Sequence, residues 1–248
     1  MSDTALIIVD VQNDFLPPSG SLAVPNGRAV LPVIEELLAP EWEWGLVIAS
    51  QDYHPPSHIS FASSHPPHQP FSELVLPKHD SRNATYTQTL WPDHCVQGTT
   101  GAEIDAFLGK AFKNRGGVRV VRKGTDPRIE AYSAFEGDVL SQSYPAPPDA
   151  KPPKVVPNGP SALTDFLRDS KIERTVIVGL ATDYCVNQTA ISSILSGFPT
   201  ALLTPAMRGI SPEGTAATLT ALEGMGGAII GRDGNGEGWR SQLHEWLK

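Results

Sequence analysis

The sequence predicts an α/β fold, a parallel β-sheet covered by helices on both faces. Three observations carry this expectation. Ala5–Val9 and Thr175–Val178 are β-forming or apolar runs without polar alternation, as in strands buried on both faces. Helical patterns separate such runs along the chain. The residues best equipped for chemistry fall just after the runs, where ligands bind in open α/β sheets.

Ala5–Val9 is the first strand and ends in Asp10-Val-Gln-Asn-Asp-Phe15. A loop rich in Pro, Ser and Gly follows. Arg28–Leu38 reads as a helix with Val30, Ile34, Leu37 and Leu38 on one face. Gly45–Ala49 is the second strand and leads into Asp52-Tyr-His54. Residues 55–98 read as an irregular region, and six of the seven histidines lie between His54 and His94. Ile104–Phe112 is a short helix, and Val118–Arg122 is a third strand ending at Lys123-Gly124. The stretch 141–160 holds seven prolines and reads as an extended surface insertion.

Ser161–Ser170 is a helix with Ser161 as cap. After Thr175–Val178, Thr182 and Asp183 are candidate caps for a helix with Val186, Ala190, Ile191, Ile194 and Leu195 on one face. Thr200–Thr204 is a strand, and Pro212–Met225 is a helix closing at Gly226-Gly227. Ala228–Ile230 is the last strand, and Asp233–Gly236 is a turn. A terminal helix packs through Trp239, Leu243, Trp246 and Leu247.

The 248 residues suit a single domain, with a loop region at 52–98 and the Pro-rich insertion at 141–160. The 2 cysteines have no framework spacing, which suits a reducing, intracellular and cytoplasmic setting. A net charge of -8 without a Lys/Arg run argues against a nucleic-acid partner. No signal peptide or transmembrane run is visible, so no membrane partner is expected, and the oligomeric state stays open.

Asp10, Asp52 with His54, Lys123 and Cys185 each follow a different predicted strand. Right-handed crossovers would bring those ends to one edge. Alone, Asp10 could be a turn residue and Cys185 a small buried hydrophobe. At one edge, Cys185 can attack, Asp10 can accept and return its proton, and Lys123 can hold the charge. A helix N-terminus at Cys185 would favour thiolate. Backbone N–H groups around Ala181 and Cys185 could receive an oxyanion. Asp52 and His54 share a face of an extended chain. With His94 they form an oxygen and nitrogen set with open positions, which zinc, iron or manganese would accept.

These residues resemble a known family. Asp10-Val-Gln-Asn-Asp-Phe15, Asp52-x-His54, Trp91-Pro-Asp-His94-Cys, Lys123-Gly124, Tyr132-Ser-Ala-Phe-Glu-Gly137 and Gly179-Leu-Ala-Thr-Asp-Tyr-Cys185 are similar to motifs of the isochorismatase-like cysteine hydrolases. Within that superfamily they resemble the nicotinamidases, also called pyrazinamidases.

The resemblance implies a Rossmann-like three-layer sandwich. It implies hydrolysis of nicotinamide to nicotinate and ammonia in NAD salvage, through a Cys185 thioester, with pyrazinamide also accepted. Asp10, Lys123 and Cys185 would be the catalytic triad, and a cis Leu180–Ala181 peptide would aim the Ala181 N–H. One divalent metal, zinc first with iron or manganese as alternatives, would be held by Asp52, His54 and His94. Phe15, Trp91 and Tyr132 would wall the aromatic substrate. His58 is expected as a supporting or pocket residue. The alternatives are another small-amide or carbamoyl hydrolase with the same triad, a metal-bound hydroxide nucleophile beside a merely buried Cys185, and a binding protein.

Overall fold

The structure is a computed structural model that describes residues 2–78, 84–151, 161–232 and 238–248. In chain order the elements are β1 (Thr4–Val9), α1 (Leu31–Leu37), β2 (Leu46–Asp52), β3 (Glu73–Pro77), β4 (Thr85–Thr89), α2 (Ala106–Arg115), β5 (Arg119–Lys123) and β6 (Asp138–Ser143). Then come α3 (Ala162–Asp169), β7 (Arg174–Leu180), α4 (Asn187–Leu195), β8 (Thr200–Arg208), α5 (Pro212–Gly224), β9 (Ala228–Ile230) and α6 (Trp239–Trp246).

Among the described residues, seven strands form one sheet in the order β6-β5-β2-β1-β7-β8-β9. Every pairing is parallel except β5 with β6 at one edge. The side-chain period of two divides β1 between two cores. Leu6 and Ile8 pack on the face covered by α1, α2 and α6, through Ile34, Leu108, Phe112, Trp239 and Leu243. Ala5, Ile7 and Val9 pack on the other face, against Leu163, Leu167, Ala190, Leu219 and Leu222 of α3, α4 and α5. Burial on both faces is why these strands show no polar alternation. Among the described residues no helix is long and apolar enough to cross a membrane.

The connections leave β1 toward β2 and β5 on one side and toward β8 and β9 on the other. The strand order therefore reverses between β1 and β7, which opens a crevice at their carboxyl ends. Gly179 makes the close approach there. It lies beside Val9 in register and has φ +117. A Cβ at this position would overlap the Val9 carbonyl.

Several expectations need correction. The region 55–98 is not wholly irregular, because β3 and β4 form an antiparallel hairpin. Its exposed, alternating strands were hidden among proline-rich flanks. The start of the Pro-rich stretch belongs to the sheet rather than to a surface insertion: β6 reaches Ser143 as an antiparallel edge strand. Beyond it, Arg122 donates to the Ala146, Pro147 and Pro148 carbonyls and lies 4.1 Å over the Tyr53 ring. Residues 152–160 and the turn expected at 233–236 lie outside the described residues. Leu195 is 75% exposed and not part of the buried face of α4, because it is the last residue before the helix ends at Ser196. Ser161 does cap α3, accepting from the Thr164 N–H at 3.0 Å.

Replacing Gly179 by alanine combines a disfavoured backbone conformation with overpacking against β1. It is expected to lower unfolding free energy by roughly 2–6 kcal/mol. Urea denaturation checks this, and an unchanged midpoint would contradict it.

Candidate active site

Asp10 follows β1 with φ +47, a left-handed conformation that turns the chain at the crevice. Asp52 ends β2 and Lys123 ends β5, and the two are register partners. Cys185 lies in a π-type turn, Thr182–Val186, between β7 and α4. The Leu180–Ala181 peptide at the head of that turn is cis. Thr182 and Asp183 do not cap the helix by side chain. The Asp183 carboxylate instead accepts from the Ile210 and Ser211 N–H groups, both at 2.9 Å, and ties the turn to the loop before α5.

Asp10, Asp52 and Cys185 converge on one ammonium, that of Lys123. Lys123 Nζ is 2.9 Å from Asp10 Oδ2, donates to Asp52 Oδ1, and lies 3.4 Å from Cys185 Sγ. It also donates to the Ala131 carbonyl at 3.2 Å. Asp10 Oδ1 accepts from the Ser50 hydroxyl at 2.6 Å. Asp10 Oδ2 lies against the Lys123 ammonium, and no hydroxyl among the described residues donates to it.

Burial raises the Asp10 carboxyl, with Lys123 opposing it. Burial would also raise Asp52, but Lys123 and then His54 hold it well below the usual carboxylate range. Lys123 keeps its proton despite burial because Asp10 and Asp52 face it. Burial pushes the Cys185 thiol up, and Lys123 only partly offsets this. Burial of the sulfur thus works against the thiolate expected from its place at a helix start. Cys185 is 7% exposed and lies in the π turn that leads directly into α4 at Asn187.

The oxygen and nitrogen set assembles beside this cluster. His54 Nε2 lies 3.6 Å and His94 Nε2 3.8 Å from Asp52 Oδ2. Each ring's Nδ1 faces a carbonyl, Gly124 at 3.0 Å for His54 and Pro92 at 2.8 Å for His94. A carbonyl can only accept, so each Nδ1 carries the proton and each Nε2 keeps its lone pair. His54 Nε2 is buried without a hydrogen-bond partner. An orphaned imidazole nitrogen, a second one and a carboxylate, all within 4.8 Å, fit a divalent metal. Another group, Asp10, Asp52 and Cys185, also brings its ligand atoms within 4.8 Å, but Lys123 already contacts all three.

His58 stands behind this set. Its ring stacks on His54 with centroids 4.1 Å apart. Nε2 donates to the Ile129 carbonyl at 3.0 Å and Nδ1 accepts from Ser60 Oγ at 2.7 Å. With both nitrogens engaged and its pKa pushed down to about 4 by burial and then by His54, it is a neutral support.

The segment from Asp10 to Phe15 organises the rest. Val11 is buried in the core. Gln12 grips the Asp52 backbone, donating to its carbonyl and accepting from its N–H, both at 2.8 Å. The Asp14 carboxylate accepts from the Cys95 N–H at 2.7 Å and so fixes the chain next to His94. Phe15 packs on the His94 ring at 5.5 Å. Cys95 is buried and free.

Phe15, Trp91 and Tyr132 line one cleft with Asp52, His94, Ala181 and Cys185. The Trp91 indole N–H donates to the Tyr132 hydroxyl at 3.0 Å. Two further lining residues, Tyr184 and Glu130, were not expected. Tyr184 could have been found as an aromatic beside Cys185, and it packs edge-on to Trp91 at 5.0 Å. Glu130 carried no signal in the sequence.

A fold reversing at β1 and β7, with Cys185, Asp10 and Lys123 brought together at the reversal, is an arrangement that a hydrolase site can use. The chain matches the isochorismatase domain over residues 4–144 and 159–233. It is 34% identical to the nicotinamidase of Escherichia coli over 237 residues, 92% of this chain and 95% of that protein. The yeast nicotinamidase bound to the inhibitor nicotinaldehyde superposes with a TM-score of 0.78 at 28% identity, covering 92% of this chain and 99% of that one. The pyrazinamidase of Pyrococcus horikoshii in complex with zinc gives 0.67 at 31% identity, covering 92% and 98%. The chain belongs to the isochorismatase-domain family and, within it, to the nicotinamidase group of hydrolases.

Two outcomes follow for the metal set. A methyl at Gly124 would run into the His54 ring, so Gly124→Ala is expected to weaken zinc binding by about 10–100-fold in a chelator competition. Unchanged affinity would contradict the role given to the Gly124 carbonyl. Burial disfavours charge on His54, but Asp52 outweighs it and raises the pKa above 6.5. A proton therefore competes with the metal from above that pH, and apparent affinity is expected to fall about tenfold per pH unit below the raised pKa. Calorimetry across pH checks this, and a pH-independent affinity would contradict it.

Proposed function

We propose that the protein hydrolyses nicotinamide to nicotinate and ammonia through a thioester on Cys185, and accepts pyrazinamide as well. The reaction would serve NAD salvage. The observation that carries this reading is the single Lys123 ammonium facing Asp10, Asp52 and Cys185 at the mouth of an aromatic cleft. The names of its relatives support the substrate.

In this reading the Cys185 thiol gives its proton to Asp10 as sulfur attacks the carboxamide carbon. The raised Asp10 carboxyl suits it to take and return a proton. The oxyanion is received by the Ala181 and Cys185 N–H groups. Asp10 then protonates the amide nitrogen, the C–N bond breaks and ammonia leaves. A water attacks the thioester and gives its proton to Asp10. The C–S bond breaks, the leaving sulfur takes that proton from Asp10, and the acid departs as nicotinate, its remaining proton passing to the released ammonia. Lys123 keeps Asp10 and the sulfur in place as charge moves between them.

Phe15, Trp91 and Tyr132 would sandwich the flat ring, with Tyr184 beside them. Asp52, His54 and His94 would hold the divalent ion, zinc first, which supplies a Lewis-acid contact for a ring-nitrogen lone pair.

Ammonia release from nicotinamide tests the reading. Cys185→Ala is expected to lower kcat by about a thousandfold or more while binding zinc as wild type does. Substantial turnover in that variant, with loss only on chelation, would reject the cysteine nucleophile. No release from folded, zinc-loaded wild type would reject the substrate.

A further inference from the structure

Among the described residues, Glu130 is the one acidic side chain lining the cleft that the mechanism leaves without a task. It lines the cleft with Cys185, His94 and Asp52, yet it is half-exposed where those three are buried. It also lines an adjoining outer groove with Tyr86, Tyr132 and Tyr184. It therefore stands between the buried cluster and solvent. Its position is fixed, because Oε1 accepts from the Ala131 N–H at 2.8 Å. The Ala131 carbonyl in turn accepts from Lys123. Among the described residues no lysine or arginine pairs with Glu130.

Its carboxylate also reaches the metal set, lying within 4.8 Å of nitrogens of His54 and His58. Formal charges give this carboxylate a task. Asp10 and Asp52 leave one negative charge after Lys123, and a divalent ion would turn the cleft net positive by one. Glu130 would cancel that surplus. A carboxamide substrate is neutral, whereas the carboxylate product is an anion that an uncompensated positive cleft would retain.

We infer that Glu130 is a specificity-determining residue that selects neutral carboxamides over carboxylates and so speeds release of the anionic product. This rests on the proposed function for the identity of substrate and product. Its field is felt across the mouth: burial raises the Tyr132 and Tyr86 hydroxyls, and Glu130 adds to that rise.

The test uses zinc-loaded wild type, Glu130→Gln and Glu130→Asp. Gln keeps an oxygen for the Ala131 N–H and removes only the charge. Calorimetry measures binding of nicotinate, an anion, and of pyridine-3-methanol, a neutral ring of similar shape. In Glu130→Gln the preference for nicotinate over the neutral probe is expected to rise about tenfold. In Glu130→Asp, which keeps the charge, it is expected to stay near the wild-type ratio. A merely structural role would move both probes together, and an unchanged or lowered ratio in Glu130→Gln would overturn the inference. Ammonia release from nicotinamide by wild type is measured alongside. Failure of that reaction alone rejects the proposed substrate, while the binding ratio still judges Glu130. Failure of both probes to bind loaded wild type would overturn the inference itself.

Discussion

The Lys123 ammonium sits in full burial between two carboxylates and a thiol, and most of the site's geometry depends on that arrangement. A buried cation is tolerated only where its charge and donors are met. Asp10 and Asp52 meet the charge, and the Ala131 carbonyl takes a further hydrogen bond. Removing one partner from such a group typically costs about 3–5 kcal/mol, because the other charges stay buried. The same contacts join two chemical tasks. Asp10 faces the cysteine, Asp52 faces the imidazoles, and Lys123 spans them.

That bridge explains the amount of backbone devoted to holding side chains still. Gln12 clasps Asp52 from the neighbouring strand end, as a strand partner would. Gly124, next to Lys123, has φ +63 and presents its carbonyl to His54 where a side chain would collide. His58 fills the space behind His54 with a neutral, fully bonded ring. Each device fixes a ring or carboxylate in one orientation and leaves one lone pair free. Such support is what tunes a metal set.

Much of this was legible in the sequence. Unalternating apolar runs marked β1, β2 and β7, and the topology then had to bring Asp10, Asp52, Lys123 and Cys185 to one edge. What was not legible depended on distance rather than pattern. Nothing in the chain says that Lys123 touches Asp52 as well as Asp10, or that Gln12 reaches across to β2. Glu130 lies in an irregular loop whose course is set by Lys123 and the cleft wall. The hairpin of β3 and β4 escaped notice because its strands are mostly exposed and flanked by proline and histidine. The burial that opposes a Cys185 thiolate was not legible either, because a helix start can be read from residues while burial of a sulfur cannot.

The most direct test of a Cys185 nucleophile is to quench the zinc-loaded enzyme during turnover of nicotinamide and read the intact peptides by mass spectrometry. The account predicts a pyridine-carbonyl adduct on the peptide that carries Cys185, formed before the steady state and absent from Cys185→Ser. Turnover of nicotinamide with no adduct on that peptide at any quench time, and with Cys185→Ser as active as wild type, would contradict it.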